Sequence, residues 1–256
     1  MQTIYTPKGA AREYAELALN LYSGCPGRCR YCYVPLVKRM DRIEFHCAPR
    51  PLTERLPSII EKVAKLRGKP NVPPIFLCFT SDPYPLCREE SLFTGTIMEI
   101  LRANDLHWTI LTKFPSRAVP DFHLYRPDDS FGVTLTHLFP YARHIWEPGT
   151  ETTGCRLNAL KLAYKLGINT WASMEPILYP TQTLELIQDS LPYCNSYKLG
   201  ALNHYRNPLP LAPSEWTNFL IQATELITIS NRTYYIKSNL RKYLPRDTPY
   251  DTTKTA

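Results

Sequence analysis

Gly24-Cys25-Pro26-Gly27-Arg28-Cys29-Arg30-Tyr31-Cys32-Tyr33 sets three thiols within eight residues, spaced C-x3-C-x2-C. Three thiolates this close can wrap one face of a cube-shaped iron–sulfur cluster. A four-iron cluster usually takes four cysteines, so three leave one iron open to a small ligand. Pro26 and Gly27 allow the tight curl such a loop needs. A zinc knuckle is the competing reading, with His46 or Cys47 as the fourth ligand.

Working outward, the loop directly follows Ala18–Tyr22, an apolar segment that reads as a strand. Beyond it, strand-like and helix-like segments alternate. Expected strands are Ile75–Phe79, Trp108–Thr112, Phe131–Leu135, Asn169–Met174 and Ser196–Leu199, with a last one at Thr233–Ile236. Expected helices are Thr53–Arg67, Glu89–Asn104, Ser116–Tyr125, Cys155–Leu166, Thr183–Ser190 and Ser214–Thr228. In Thr53–Arg67 the apolar residues Leu56, Ile59, Ile60, Val63 and Leu66 recur at helical steps, and Thr53 is placed to cap. Six β-α units with apolar strands imply an α/β fold whose parallel strands are covered by outer helices. An open, partial (β/α)6 barrel fits, with chemistry in the loops after the strands. One domain over residues 1–245 and a frayed polar tail over 246–256 are expected.

Hydrophobic residues make up 44% and charged residues 21%, which excludes a disordered chain. The 24 prolines against 10 glycines point to stiff loops. No apolar run approaches the ~18 residues of a membrane span, and no secretory stretch is visible, so a cytoplasmic protein is expected. Eight cysteines without such a signal argue against a disulfide framework. Cys78 and Cys155 read as small core residues, and Cys87 and Cys194 as having no part in the chemistry. The net charge of +7 resides in residues 1–70, which hold 13 Lys/Arg and 6 Asp/Glu. The remainder balances at 17 each, so the first quarter of the chain is where an acidic partner would be attracted.

A C-x3-C-x-aromatic-C loop after a first strand resembles the signature of the radical S-adenosylmethionine (radical SAM) superfamily. The nearer resemblance is to its spore photoproduct lyase-like, DNA-repair-type branch. Three features carry it: Gly24 to Tyr33, Thr80-Ser81-Asp82 after the second strand, and Thr112-Lys113 at the end of the third. The resemblance implies a partial (β/α)6 barrel and a [4Fe-4S] cluster on Cys25, Cys29 and Cys32. It implies S-adenosyl-L-methionine on the open iron, reductive cleavage of that cofactor, and a 5′-deoxyadenosyl radical that takes hydrogen from a substrate.

By the same resemblance, Tyr31 packs on the adenine. Ser81 and Asp82 meet the methionyl ammonium or the ribose, and Lys113 meets the methionyl carboxylate. Thr134 or Thr136 bonds the ribose, and Arg156 binds the carboxylate with Glu147 orienting it. Tyr33 matches the tyrosine beside the radical path. His137, His144, Glu175, Asn203 and His204 fall in post-strand loops as candidates for the substrate wall. The chain departs from the lyase at Phe79, where the lyase has its hydrogen-donating cysteine. Strand alternation directs the adjacent Cys78 to the opposite face unless a bulge re-aims it.

Nucleic acid is the substrate class favoured by the basic residues around the loop, among them Arg28, Arg30, Lys38, Arg39 and Arg42, with Tyr31 and Tyr33 to stack. The alternatives are a radical enzyme on a peptide or small metabolite, or a non-catalytic module. A flavodoxin- or ferredoxin-type reductant is implied as partner for either enzyme.

Overall fold

A computed structural model describes residues 3–47, 49–87, 93–203, 205 and 211–253. In chain order the strands are β1 Ile4–Tyr5, β2 Leu17–Leu19, β3 Tyr22–Ser23, β4 Arg50–Pro51, β5 Ile75–Leu77, β6 Trp108–Thr112, β7 Ser130–Thr134, β8 Asn169–Ile177, β9 Ser196–Ala201 and β10 Thr233–Ile236. The helices are α1 Val34–Lys38, α2 Arg42–Cys47, α3 Leu56–Leu66, α4 Phe93–Ala103, α5 Pro140–Trp146, α6 Thr153–Lys165, α7 Pro180–Ser190, α8 Pro213–Ile229 and α9 Ser238–Arg241.

Eight strands form one sheet in the order β1-β2-β5-β6-β7-β8-β9-β10. Every neighbouring pair from β2 to β10 is parallel, and β1 adds an antiparallel edge. Helices between successive parallel strands cover the sheet, as the alternating sequence pattern requires. Among the described residues β1 and β10 do not pair, so the sheet is an open, partial barrel. That agrees with the expected architecture.

Strand alternation divides the core. Ile75 and Leu77 of β5 join the large cluster under the helices, while Phe76 turns inward to a smaller cluster with Ala18 and Trp171. Inside the barrel Gly132 stands beside Trp171, where a Cβ would lie 2.3 Å from the indole. Only glycine leaves room for that ring.

The N-terminal stretch seals the open side. Glu13 accepts hydrogen bonds from the Ser238 N–H at 2.8 Å and from the Tyr235 hydroxyl at 3.2 Å. Lys198 donates to the Glu13 carbonyl at 2.8 Å. Burial first, and the nearby Lys237 second, lower the Lys198 pKa to about 8.

Several boundaries differ from expectation. The first strand stops at Leu19 because the Asn20 side chain turns to accept the Phe79 and Thr80 N–H groups at 2.9 and 3.0 Å. Tyr22–Ser23 then pairs with Arg50–Pro51 instead. The first long helix starts at Leu56, and Thr53 lies in a 3-10 turn without capping it. Ser116–Tyr125 is two 3-10 segments, each opened by a proline near its start. The expected helix start at Glu89 lies outside the described residues, as do His204 and residues 254–256. Within the described part of the tail, Ile236 donates to the Tyr250 carbonyl at 2.7 Å and Thr252 to the Tyr234 carbonyl at 3.0 Å, so residues 250–252 are bound to the sheet edge. An otherwise open strand edge at β10 offers those partners.

Candidate active site

The cysteine loop sits at the C-terminal end of the strands, held by backbone bonds from three directions. Cys25 N–H donates to the Phe45 carbonyl at 3.0 Å, Arg30 N–H to Trp146 at 2.8 Å, and Gly149 N–H to Gly27 at 3.1 Å. Arg42 ties the loop from outside: its guanidinium donates to the carbonyls of Cys29, Arg30 and Cys32, the last two at 2.8 and 3.1 Å. That corrects the reading of Arg42 as a free phosphate ligand, while Arg28, Arg30 and Arg39 remain exposed.

Two glycines fix how closely the loop packs. A Cβ on Gly149 would lie 2.0 Å from the Pro26 carbonyl oxygen. A Cβ on Gly27 would stand 3.5 Å from the sulfurs of both Cys25 and Cys29. The backbone therefore curls around a bare space between two thiols. All three cysteines border one cavity of about 580 Å³. Three thiols around a glycine-lined space fit a cluster with one open iron. Burial, then the charge of Asp82, pushes the Cys25 thiol up to about 12. Of the two fourth ligands the zinc reading offers, Cys47 is exposed, and His46 donates from Nδ1 to the Cys25 carbonyl at 2.7 Å. Among the described residues no three His, Cys, Asp or Glu side chains are close enough to share a single metal ion.

Ser81, Asp82, Lys113 and Thr134 line the same cavity, as does Tyr31. Ser81 donates to the Gly24 carbonyl at 2.5 Å, joining the second strand's loop to the cysteine loop. Asp82 accepts from Tyr84 N–H at 2.9 Å, Thr112 Oγ1 at 2.6 Å and Lys113 N–H at 2.8 Å. Its carboxylate therefore joins the ends of β5 and β6. Burial raises the Asp82 pKa despite these bonds. The Lys113 ammonium stands 5.8 Å over the Tyr31 ring.

Behind this wall lies a buried network around Glu147. Arg156 Nη2 donates to Glu147 Oε2 at 2.5 Å and to Thr150 Oγ1 at 2.6 Å, and Nη1 to the Thr134 carbonyl at 2.8 Å. Glu147 also accepts from the Tyr31 hydroxyl and from Thr136 Oγ1, the latter at 2.9 Å. Burial alone would raise the Glu147 pKa, but Arg156 and then Lys113 hold it down at about 2. Burial, the largest influence on His137, holds it near 4 against the pull of Glu147, so it is neutral. Arg156 does not border the cavity, contrary to its expected contact with a cofactor carboxylate. It positions Tyr31, through Glu147, and the end of β7.

The opposite wall carries Tyr33, Phe79 and a polar group that sequence reasoning only half found. Tyr33 Oη donates to the Phe79 carbonyl at 3.2 Å. Of the expected wall residues, Glu175 and Asn203 border the cavity, whereas His137 is buried in the network and His144 is exposed on α5. Tyr14 and Lys237, unforeseen, flank Glu175. Cys78 also departs from expectation. Its backbone takes a left-handed turn, φ 74°, and the residue borders the cavity as well as the core. Its sulfur accepts from Leu21 N–H at 3.4 Å. Cys155, expected in the core, is exposed beside Thr152 at the start of α6.

Comparison with known proteins places these features in a family. The model of the Radical SAM superfamily matches residues 19–193. An uncharacterized protein of Methanocaldococcus jannaschii, MJ0683, is 27% identical over 193 residues, spanning 74% of this chain and 71% of its own. Spore photoproduct lyase with bound AdoMet and dinucleoside spore photoproduct superposes with a TM-score of 0.70 at 16% identity, over 92% of this chain and 79% of that one. SuiB of Streptococcus suis, bound to S-adenosylmethionine, gives a TM-score of 0.58 at 10% identity, over 86% of this chain and 45% of that one.

Proposed function

The chain belongs to the radical SAM superfamily, and from that premise we propose an enzyme that modifies or repairs nucleic acid in the cytoplasm. The family's [4Fe-4S] cluster and S-adenosylmethionine, when bound, supply a 5′-deoxyadenosyl radical for hydrogen abstraction. Cys25, Cys29 and Cys32 hold the cluster, and Gly27 keeps the space between two sulfurs clear. Ser81, Asp82, Lys113, Thr134 and Tyr31 line the adjoining volume and orient the cofactor. Lys113, fixed by the Asp82 carboxylate at its own N–H, offers a cation for a carboxylate. Glu147 and Arg156 hold this wall from behind. Tyr33 stands at the boundary with the substrate half. One domain carries these residues, and a flavodoxin- or ferredoxin-type protein supplies the electron.

The observation that carries the nucleic-acid reading is the concentration of charge at the cysteine loop. All of the chain's +7 lies in residues 1–70, and Arg28, Arg30 and Arg39 are exposed there. Solved structures of spore photoproduct lyase hold a dinucleoside spore photoproduct as that protein's ligand, which supports the same reading. The test is equilibrium binding of single-stranded DNA and RNA between about 50 and 200 mM salt. Log affinity should fall with log salt by ~0.7 per phosphate contact. Changing Arg28, Lys38 and Arg39 together to Ser should make that slope shallower by about two units. Undetectable binding of both polymers at low salt would refute the reading.

A further inference from the structure

The open side of the barrel is crossed by the loop that joins β1 to β2. Its two ends lie together, because Tyr5 of β1 pairs with Ala18 of β2. From there residues 6–16 reach the opposite edge of the sheet. The Glu13 carboxylate accepts from Tyr235 of β10 and from Ser238 just beyond it, and lies 3.5 Å from the Arg241 guanidinium. The Tyr14 hydroxyl donates to Glu175 Oε2 of β8 at 2.5 Å. Lys8, Gly9, Ala10, Ala11 and Tyr14 form one side of the cavity. That side is therefore closed by a loop and not by a strand. Loops of this length with joined ends are compact units, and this one can swing without unpairing β1 from β2.

Little apolar surface holds the loop down. The 3-10 turn Gly9–Glu13 buries no residue. Gly9 takes a left-handed φ of 58°, and a Cβ there would meet nothing within 4 Å. One ring pegs the loop: Tyr14 meets Phe76, Phe79 and Trp171 with centroids 5.9, 6.2 and 6.0 Å away. The other ties are polar. Segments with few buried apolar contacts open at low cost.

Beneath the loop lies a charge that closure matches poorly. The Lys198 ammonium donates to the Glu13 and Tyr14 carbonyls at 2.8 and 3.3 Å. Around it stand the Tyr14, Trp171 and Tyr235 rings, the Lys237 ammonium, and the Asp251, Glu13 and Glu175 carboxylates. Burial and the like charge of Lys237 outweigh those carboxylates, which is why the Lys198 pKa sits at about 8 instead of 10.5. Opening the loop returns this ammonium to water.

We infer that residues 6–16 are a clasp that swings away from β8 and β10 while β1 and β2 stay paired, opening the side of the cavity as the route by which substrate enters. The buried ammonium loads the clasp toward opening. In the open form Lys198 regains its ordinary affinity for a proton, so the open form binds that proton more readily than the closed one. Rising pH therefore favours closure, from about 8 toward 10.5. The inference does not depend on the nucleic-acid reading.

The test uses the anaerobically reconstituted protein without reductant. Trypsin cleavage after Lys8 and Arg12 reports the open population, divided at each pH by the rate on a free peptide of residues 6–16. For wild type this ratio should fall about tenfold between pH 7 and 9; in Lys198→Met it should stay level. Glu13→Ala removes the latch and should raise cleavage at pH 7 about five- to thirtyfold. Entry is read by 5-iodoacetamidofluorescein on Cys78, the thiol among the described cavity residues that the cluster leaves free. Exposed Cys155 of the same chain is the internal standard. Labelling of Cys78 relative to Cys155 should rise in Glu13→Ala by the same factor as cleavage. A cleavage ratio that is level with pH in wild type would overturn the inference, as would one that Glu13→Ala leaves unchanged. Cys78 labelling that ignores Glu13→Ala while cleavage rises would also overturn it, because the cavity would then be entered elsewhere.

Discussion

Glu147→Gln separates what Arg156 does from what it was expected to do. The substitution keeps size and removes the charge that faces a fully buried guanidinium: both side chains are 0% exposed. Arg156 keeps its bonds to Thr134 and Thr150 but loses its counter-ion. The depression of the Glu147 pKa from 4.5 to about 2 corresponds to about 3 kcal/mol at ~1.4 kcal/mol per unit. Breaking one side of a buried pair costs about 3–5 kcal/mol in general, so the two figures agree. At ~2.1 cal/mol/K per residue, 256 residues give an unfolding entropy of about 0.5 kcal/mol/K, and the melting midpoint should fall by about 6–10 °C. The assay is calorimetry of the cluster-free protein at pH 7, with urea unfolding as a check. Glu147→Gln/Arg156→Met should recover part of the loss, because no unpaired charge remains. A midpoint within 2 °C of wild type for Glu147→Gln would refute the claim that this pair supports the site.

Gly149→Ala should drive the Pro26–Gly27 backbone away and lower retained iron after anaerobic reconstitution, at a cost of about 1–3 kcal/mol in the cluster-free protein; wild-type iron content would contradict this. Asp82→Asn and Lys113→Ala should keep the cluster but weaken S-adenosylmethionine binding about ten- to a hundredfold, measured by equilibrium dialysis; an unchanged dissociation constant in both would remove these residues from the cofactor wall. The acid limb of stability should have two parts. His137, neutral and held near 4 against an ordinary 6.5, binds its proton more readily unfolded, so stability falls by up to about 3 kcal/mol as pH drops from 6.5 to 4. Glu147 binds its proton less readily folded, so its contribution holds above 4.5 and is lost toward pH 2. Urea titrations should show the first loss vanish in His137→Gln and the second in Glu147→Gln.

The parts legible in the sequence are those whose signal is local. Three cysteines in one loop, apolar strands of even length, and ionisable residues directly after a strand (Asp82, Lys113) each carry their message within a few neighbours. Parallel pairing then brings consecutive strand ends to one mouth, so loops read separately land on one cavity. The Glu147–Arg156 pair was half legible, since nine residues separate partners on one loop and the helix after it. Tyr14, Glu175 and Lys237 were not legible as a group. They are brought together across 161 and 62 residues where the N-terminal stretch packs against the ends of β8 and β10, and no local pattern records that. A signal existed in Lys237, a charge ending the apolar run Tyr234–Ile236, the same cue that marked Lys113. Cys78 escaped because strand alternation presumes regular backbone, and a left-handed turn at φ 74° interrupts it.

The most direct measurement of the central claim is anaerobic. The reconstituted protein is assayed for iron and sulfide, then reduced with dithionite in the presence of S-adenosylmethionine, and 5′-deoxyadenosine is quantified by chromatography. The account predicts about four irons and four sulfides per chain, 5′-deoxyadenosine from wild type, and neither iron nor product when Cys29 is changed to Ala. A colourless protein holding one zinc, or full iron and product in Cys29→Ala, would contradict it.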